Sequence, residues 1–129
     1  MEGLLKRIPE FIIFTGPMFG SKTTRLLAAV DRFRYQNRNV IAFKPKLDER
    51  YSESQICTHN GGSLGAHVVS TGKDIANIVN NSLCDVVAVD EAFMIEGSAD
   101  ALISIFRNGK TVVISSLQLS ATGNVFEEV

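Results

Sequence analysis

Apolar and polar positions along the chain fall into short blocks that alternate between the period of a buried strand and that of an amphipathic helix. Residues 11–15, Phe-Ile-Ile-Phe-Thr, are apolar at nearly every position, the pattern of a central parallel strand buried on both faces. From residue 23 to about 35, Leu26, Leu27, Val30 and Phe33 recur at helical spacing, and Arg25, Asp31, Arg32 and Arg34 take the other faces. Asn37 to Asn39 closes that helix. Residues 39–44 predict a second strand ended by Pro45, which has no N–H to give a ladder. Residues 46–55 are polar and predict a loop, 56–59 and 66–70 predict brief strands, and Asn60-Gly-Gly-Ser63 between them is a turn. Thr71 or Gly72 opens a helix through Ile75, Ile78 and Val79 that ends in Asn80-Asn-Ser82. A strand over 85–89 follows, then a helix over 97–108 with Ala101, Leu102, Ile105 and Phe106 inward and Asn108-Gly109 as a left-handed cap. Residues 110–115 form the last clear strand.

Strands alternating with helices imply an α/β three-layer domain with a mostly parallel sheet and a ligand site at the carboxyl ends of the strands. The 129 residues fit one domain, 1–129. With 45% hydrophobic and 21% charged residues and a net charge of −1, the chain reads as an ordinary soluble protein, with no basic excess that argues for nucleic acid or membrane. Its apolar runs fall short of a bilayer span and its first residues lack a signal-peptide pattern, so the cytoplasm is the expected compartment. Cys57 and Cys84 have no metal-ligand spacing and read as buried thiols.

The chemistry concentrates in two places. Residues 11–24 read as strand, phosphate loop, helix: Gly16, Lys22 and Thr23 have the offsets of a loop whose backbone N–H groups wrap an anion, whose lysine reaches the outer phosphates and whose hydroxyl ligates Mg²⁺. The candidate phosphate-binding set is Gly16, Pro17, Met18, Phe19, Gly20, Ser21, Lys22, Thr23 and Thr24. Ser21 stands where such loops have glycine, with Gly20 one place earlier, so the loop is either shifted or a weaker nest. At the end of the 85–89 strand come Asp90 and Glu91. Strand geometry sends successive side chains to opposite sides, which makes Asp90 the metal-side acid and leaves Glu91 to take a proton from a hydroxyl or water. Arg50 has two readings, a guanidinium that neutralises a transferring phosphoryl group or a surface partner of Asp48 or Glu49. His59 and His67 read as structural.

Gly16-Pro-Met-Phe19, Lys22-Thr-Thr-Arg-Leu-Leu27, Phe43-Lys-Pro-Lys46 with Asp48-Glu-Arg-Tyr-Ser52, Thr58-His59, Val89-Asp-Glu-Ala92 and the tail from Leu117 to Phe126 together resemble the cellular and bacterial thymidine kinase family, colinearly over nearly the whole chain. The resemblance implies a RecA-like P-loop NTPase fold and ATP-dependent phosphorylation of thymidine to TMP, a nucleotide-salvage step toward DNA synthesis. It implies that Lys22 and the loop amides hold the triphosphate, that Thr23 and Asp90 position Mg²⁺, that Arg50 assists the phosphates and that Glu91 is the general base. It also implies an apolar cradle for the pyrimidine from Met94, Leu117 and Phe126. ATP and a deoxynucleoside are the implied partners, without nucleic acid or membrane, and a homo-oligomer is compatible with it.

The chain departs from the family pattern at Ser21, at Phe93-Met94-Ile95 and at Ala121. The family's four-cysteine zinc subdomain and lasso loop have no counterpart here, so no zinc is expected. These departures leave three readings open: a kinase impaired by truncation and the altered loop, a lid supplied by a partner, or a degenerate ATP-binding or assembly module without kinase activity. Asp90-Glu-Ala92 and Ser120-Ala-Thr122 also mimic helicase motifs, but a helicase-like ATPase fragment is disfavoured by the lack of a basic face and by the Gly-Pro-Met-Phe start.

Overall fold

The computed structural model describes residues 8–16, 22–46, 55–57 and 63–117. In chain order the elements are β1 (Phe11–Gly16), α1 (Lys22–Tyr35), β2 (Val40–Pro45), β3 (Gln55–Cys57), β4 (Ser63–Gly65), β5 (His67–Val69), α2 (Gly72–Asn80), β6 (Val86–Val89), a 3₁₀ turn (Ala92–Met94), α3 (Ser98–Arg107) and β7 (Thr111–Leu117). Five strands form one sheet in the order β1-β7-β6-β2-β5, and every pairing in it is parallel. The fold is therefore α/β, as the alternation predicts.

The sheet is the middle layer. Along each strand successive side chains alternate between its faces. Ala42, Val86, Ala88 and Val113 meet Leu26, Ala29, Val30 and Phe33 of α1 on one face. On the other, Phe43, Val87, Val89, Val112 and Ile114 meet Ile75 and Val79 of α2 and Leu102 and Ile105 of α3. β6 is buried at all four positions, which is why its sequence is an unbroken Val-Val-Ala-Val.

The ends of the helices follow from local chemistry. Thr71 caps α2 reciprocally: its Oγ1 accepts from the Asp74 amide at 3.3 Å, and Asp74 Oδ2 accepts from the Thr71 amide at 3.3 Å. The Gly72 amide donates to the Glu96 carbonyl at 2.8 Å and ties the start of α2 to the approach to α3. α3 ends at Arg107 with Asn108 as its cap, and Gly109 turns the chain with φ of 100°.

Three expectations change. β1 is apolar throughout yet stands at one end of the described sheet, with Ile13 43% exposed; an apolar run reports contact on the faces and says nothing of which strands lie alongside. Ser63, read as part of a turn, begins β4, which pairs antiparallel with β3; three residues are too few for a period to show. Pro45 is the last residue of β2 rather than the first beyond it, opposite Val69, a strand-end position that a missing N–H allows.

Cys84 is a buried thiol, as expected, and burial pushes its pKa up. His59 and the side chain of Cys57 lie outside the described residues. No helix among the described residues is long and apolar enough to cross a membrane.

Candidate active site

In a parallel sheet all strands end on the same side, so the carboxyl ends of β1, β2, β6 and β7 lie along one edge. Lys22, the first residue of α1, is buried there. Thr23 Oγ1 donates to Asp90 Oδ1 at 3.0 Å, joining the first turn of α1 to the residue after β6. Two motifs 67 residues apart in sequence thus meet directly. Thr24, the next residue, is exposed.

The two acids sit differently from the simple pleat argument. β6 stops at Val89, and Glu91 adopts a left-handed backbone, φ 50° and ψ 50°, leading into the 3₁₀ turn. Glu91 therefore owes its direction to a turn and not to strand alternation, and both acids are buried. A left-handed conformation costs a residue with a Cβ about 1–2 kcal/mol, so the turn needs external support. The Asp90 amide donates to the Phe43 carbonyl at 3.0 Å, the Glu91 amide donates to Ser115 Oγ at 2.9 Å, and Ser98 Oγ donates to the Ala92 carbonyl at 2.9 Å. Ser115 Oγ in turn donates to Asp90 Oδ1 at 2.6 Å.

Two buried side chains here carried no role in the sequence reading. Lys44 is 1% exposed. Strand alternation puts it on the same face as Ala42, and the β2–β6 register that pairs Phe43 with Val89 brings it level with Asp90. A lysine two places after a core alanine in an otherwise apolar strand was the available signal, since a buried ammonium requires compensating charge. Ser115 had no such signal, because a serine near a strand end has no pattern of its own. Ser116, on the opposite face with Val112 and Ile114, is also buried, and its Oγ finds no hydrogen-bond partner among the described residues.

The structure thus brings together Lys22, Thr23, Asp90 and Glu91 of the predicted set. Met94 is half-buried in the 3₁₀ turn that follows, Gly16 ends β1 and Leu117 ends β7. Arg50, Phe126 and the loop residues Pro17, Met18, Phe19, Gly20 and Ser21 lie outside the described residues, as does the side chain of Leu117.

A family model described as thymidine kinase matches residues 10–129. The chain belongs to the thymidine kinase family. One curated relative, the thymidine kinase of Pyrobaculum aerophilum, is 40% identical over 119 residues, which cover 90% of this chain and 64% of the relative. The chain thus spans a little under two thirds of the length of that relative. Both β1 and β7, and every motif of the site, fall within the matched family segment.

Proposed function

We propose that the chain forms the nucleotide-binding part of an enzyme that transfers the terminal phosphoryl group of ATP to the 5′-hydroxyl of thymidine. The observation that carries this reading is the 3.0 Å hydrogen bond from Thr23 to Asp90, which brings the hydroxyl of the loop motif and the carboxylate of the strand motif to one point. Membership of the thymidine kinase family and the name of the Pyrobaculum relative support the choice of acceptor.

A hydroxyl and a carboxylate oxygen are the hard donors Mg²⁺ takes, so the donor set fits that ion. Thr23 and Asp90 would hold it, and when bound it neutralises charge on the phosphates during transfer. Lys22 brings a positive charge to the start of α1, where the helix dipole and its open amides already favour an anion. Glu91, next to the metal-side acid and held by Ser115, takes the proton from the acceptor hydroxyl. Met94, Leu117 and Phe126 offer apolar surface to the base, and Arg50 a guanidinium to the phosphates. Because phosphoryl transfer asks mainly for positioning and charge stabilisation, a base near the acceptor hydroxyl beside a metal-bound triphosphate supplies the core of the reaction.

A second reading, a nucleotide-binding module without transfer, is favoured by Ser21, whose side chain stands where the loop pattern has glycine. Incubation with ATP, Mg²⁺ and thymidine separates the two. TMP formation supports the kinase, ATP binding without TMP or ADP supports the module, and ADP release that ignores thymidine points to an ATPase.

A further inference from the structure

Ser115 belongs to neither the loop motif nor the acid motif, yet one atom of it joins both acids. A hydroxyl has one proton to give and lone pairs to accept with. In Ser115 the proton is committed to Asp90 Oδ1 at 2.6 Å, within the short range of charge-assisted bonds, and a lone pair takes the Glu91 amide at 2.9 Å. The hydroxyl is therefore not a free rotor; each bond fixes the direction of the other.

We propose that Ser115 is a positioning residue that couples the two acids, holding the Asp90 carboxylate and the Glu91 backbone in one fixed relation. This rests on the reading of Glu91 as the base. Three features support the coupling. Ser115 is fully buried on β7, which is hydrogen-bonded to β1 on one side and β6 on the other, so its position is set by the interior of the sheet. Asp90 Oδ1 accepts from Thr23 as well as Ser115, so the carboxylate is oriented from two directions. Glu91 occupies a left-handed backbone that its own side chain disfavours, and the Ser115 bond holds that peptide in place. Without the hydroxyl a buried amide loses its acceptor, and the strained residue is released to relax away from the acceptor site.

The test compares wild type with Ser115→Ala and Ser115→Thr, and adds Ser115→Cys as the second variant should alanine fail to fold. Two quantities are measured: steady-state TMP formation, and hydrogen exchange at the Glu91 amide, which reports the bond with or without turnover. Coupling predicts that S115A lowers kcat by about tenfold or more, as misplacement of a reacting group does. It predicts a KM for ATP within about twofold of wild type, since the interaction is felt in the transition state. The Glu91 amide then exchanges about tenfold faster or more, having lost its protecting partner. S115T, which keeps the hydroxyl, restores both, and S115C behaves like S115A. The proposal is overturned if S115A leaves kcat or Glu91 exchange unchanged, or if S115T is as impaired as S115A, which would mean that the site needs serine's volume and not its hydroxyl. A wild-type chain that makes no TMP sinks the functional reading instead, and the exchange measurement still decides the coupling.

Discussion

Gly72 and Gly97 pack backbone against backbone: a side-chain carbon at Gly72 would begin 2.2 Å from the Gly97 carbonyl oxygen and 2.6 Å from its carbon. Both obstacles are main chain and cannot swing aside. Gly72→Ala is expected to lower the unfolding free energy by about 2–3 kcal/mol, the scale of an overpacked core. Gly97 has room for a Cβ, its nearest neighbour at 3.8 Å, but holds φ of +77°, so Gly97→Ala costs only about 1 kcal/mol. Urea unfolding of the two variants checks the order; equal losses would show that close approach is not what selects glycine at 72.

Removing either end of the Thr23–Asp90 bond tests the metal reading. Thr23→Val and Asp90→Asn are expected to lower TMP formation by about 100-fold or more, the scale of losing one electrostatic contact to the reacting group. Thr23→Ser keeps the hydroxyl and stays within a few-fold of wild type. Titration of ATP with and without Mg²⁺ gives the specific signature, in which T23V abolishes the advantage conferred by Mg²⁺ and leaves metal-free binding as it was. A Mg²⁺ advantage that survives T23V and D90N alike rules these two residues out as its ligands.

Glu91→Gln keeps the shape of the side chain and removes its capacity to take a proton. TMP formation should fall by about 10²–10⁴-fold, the usual contribution of a general base, while ATP binding is unchanged. Turnover equal to wild type would assign the proton transfer to another group.

Cys84 gives a prediction for alkaline pH. Its folded-state pKa is raised, first by burial, with Lys110 opposing and Asp85 adding to the rise. The folded chain therefore holds the thiol proton to higher pH than the unfolded chain. The associated stability is complete below the ordinary thiol range, about 8.5, and is lost as pH climbs through the folded value. The stability difference between wild type and Cys84→Ala should accordingly shrink between pH 7 and pH 10 in paired urea titrations. A gap that stays constant would mean that the thiol ionises as readily in the fold as outside it.

The parts legible in the sequence are those written in a period or a cap. α1 begins within a residue of its predicted start because Leu26, Val30 and Phe33 repeat at helical spacing, and α2 begins where Thr71 and Asp74 cap each other. β6 and its two acids are legible because an unbroken apolar run ends in charge. Nothing local marks Glu91 for a left-handed turn, since no glycine or asparagine stands there; the strain is supported by Ser115, 24 residues later. Lys44 and Ser115 join the site through register between strands, which a single sequence does not print. β1 reads as central in the sequence for the same reason: its residues record what lies above and below the sheet, while its neighbours are chosen by the whole topology.

The position of β7 bears on how the molecule comes into being. This strand is the last described in the chain, yet it lies between β1 and β6, pairing Phe11 with Val112 on one side and Val86 with Thr111 on the other. During synthesis β1 has no neighbour among the described strands until residue 111 and beyond have emerged. Ser115, bonded to both Asp90 and the Glu91 amide, arrives on that same last described strand. If the site binds a phosphate tail as proposed, a stalled or nicked chain lacking β7 would possess most of its residues without the strand that joins β1 to β6.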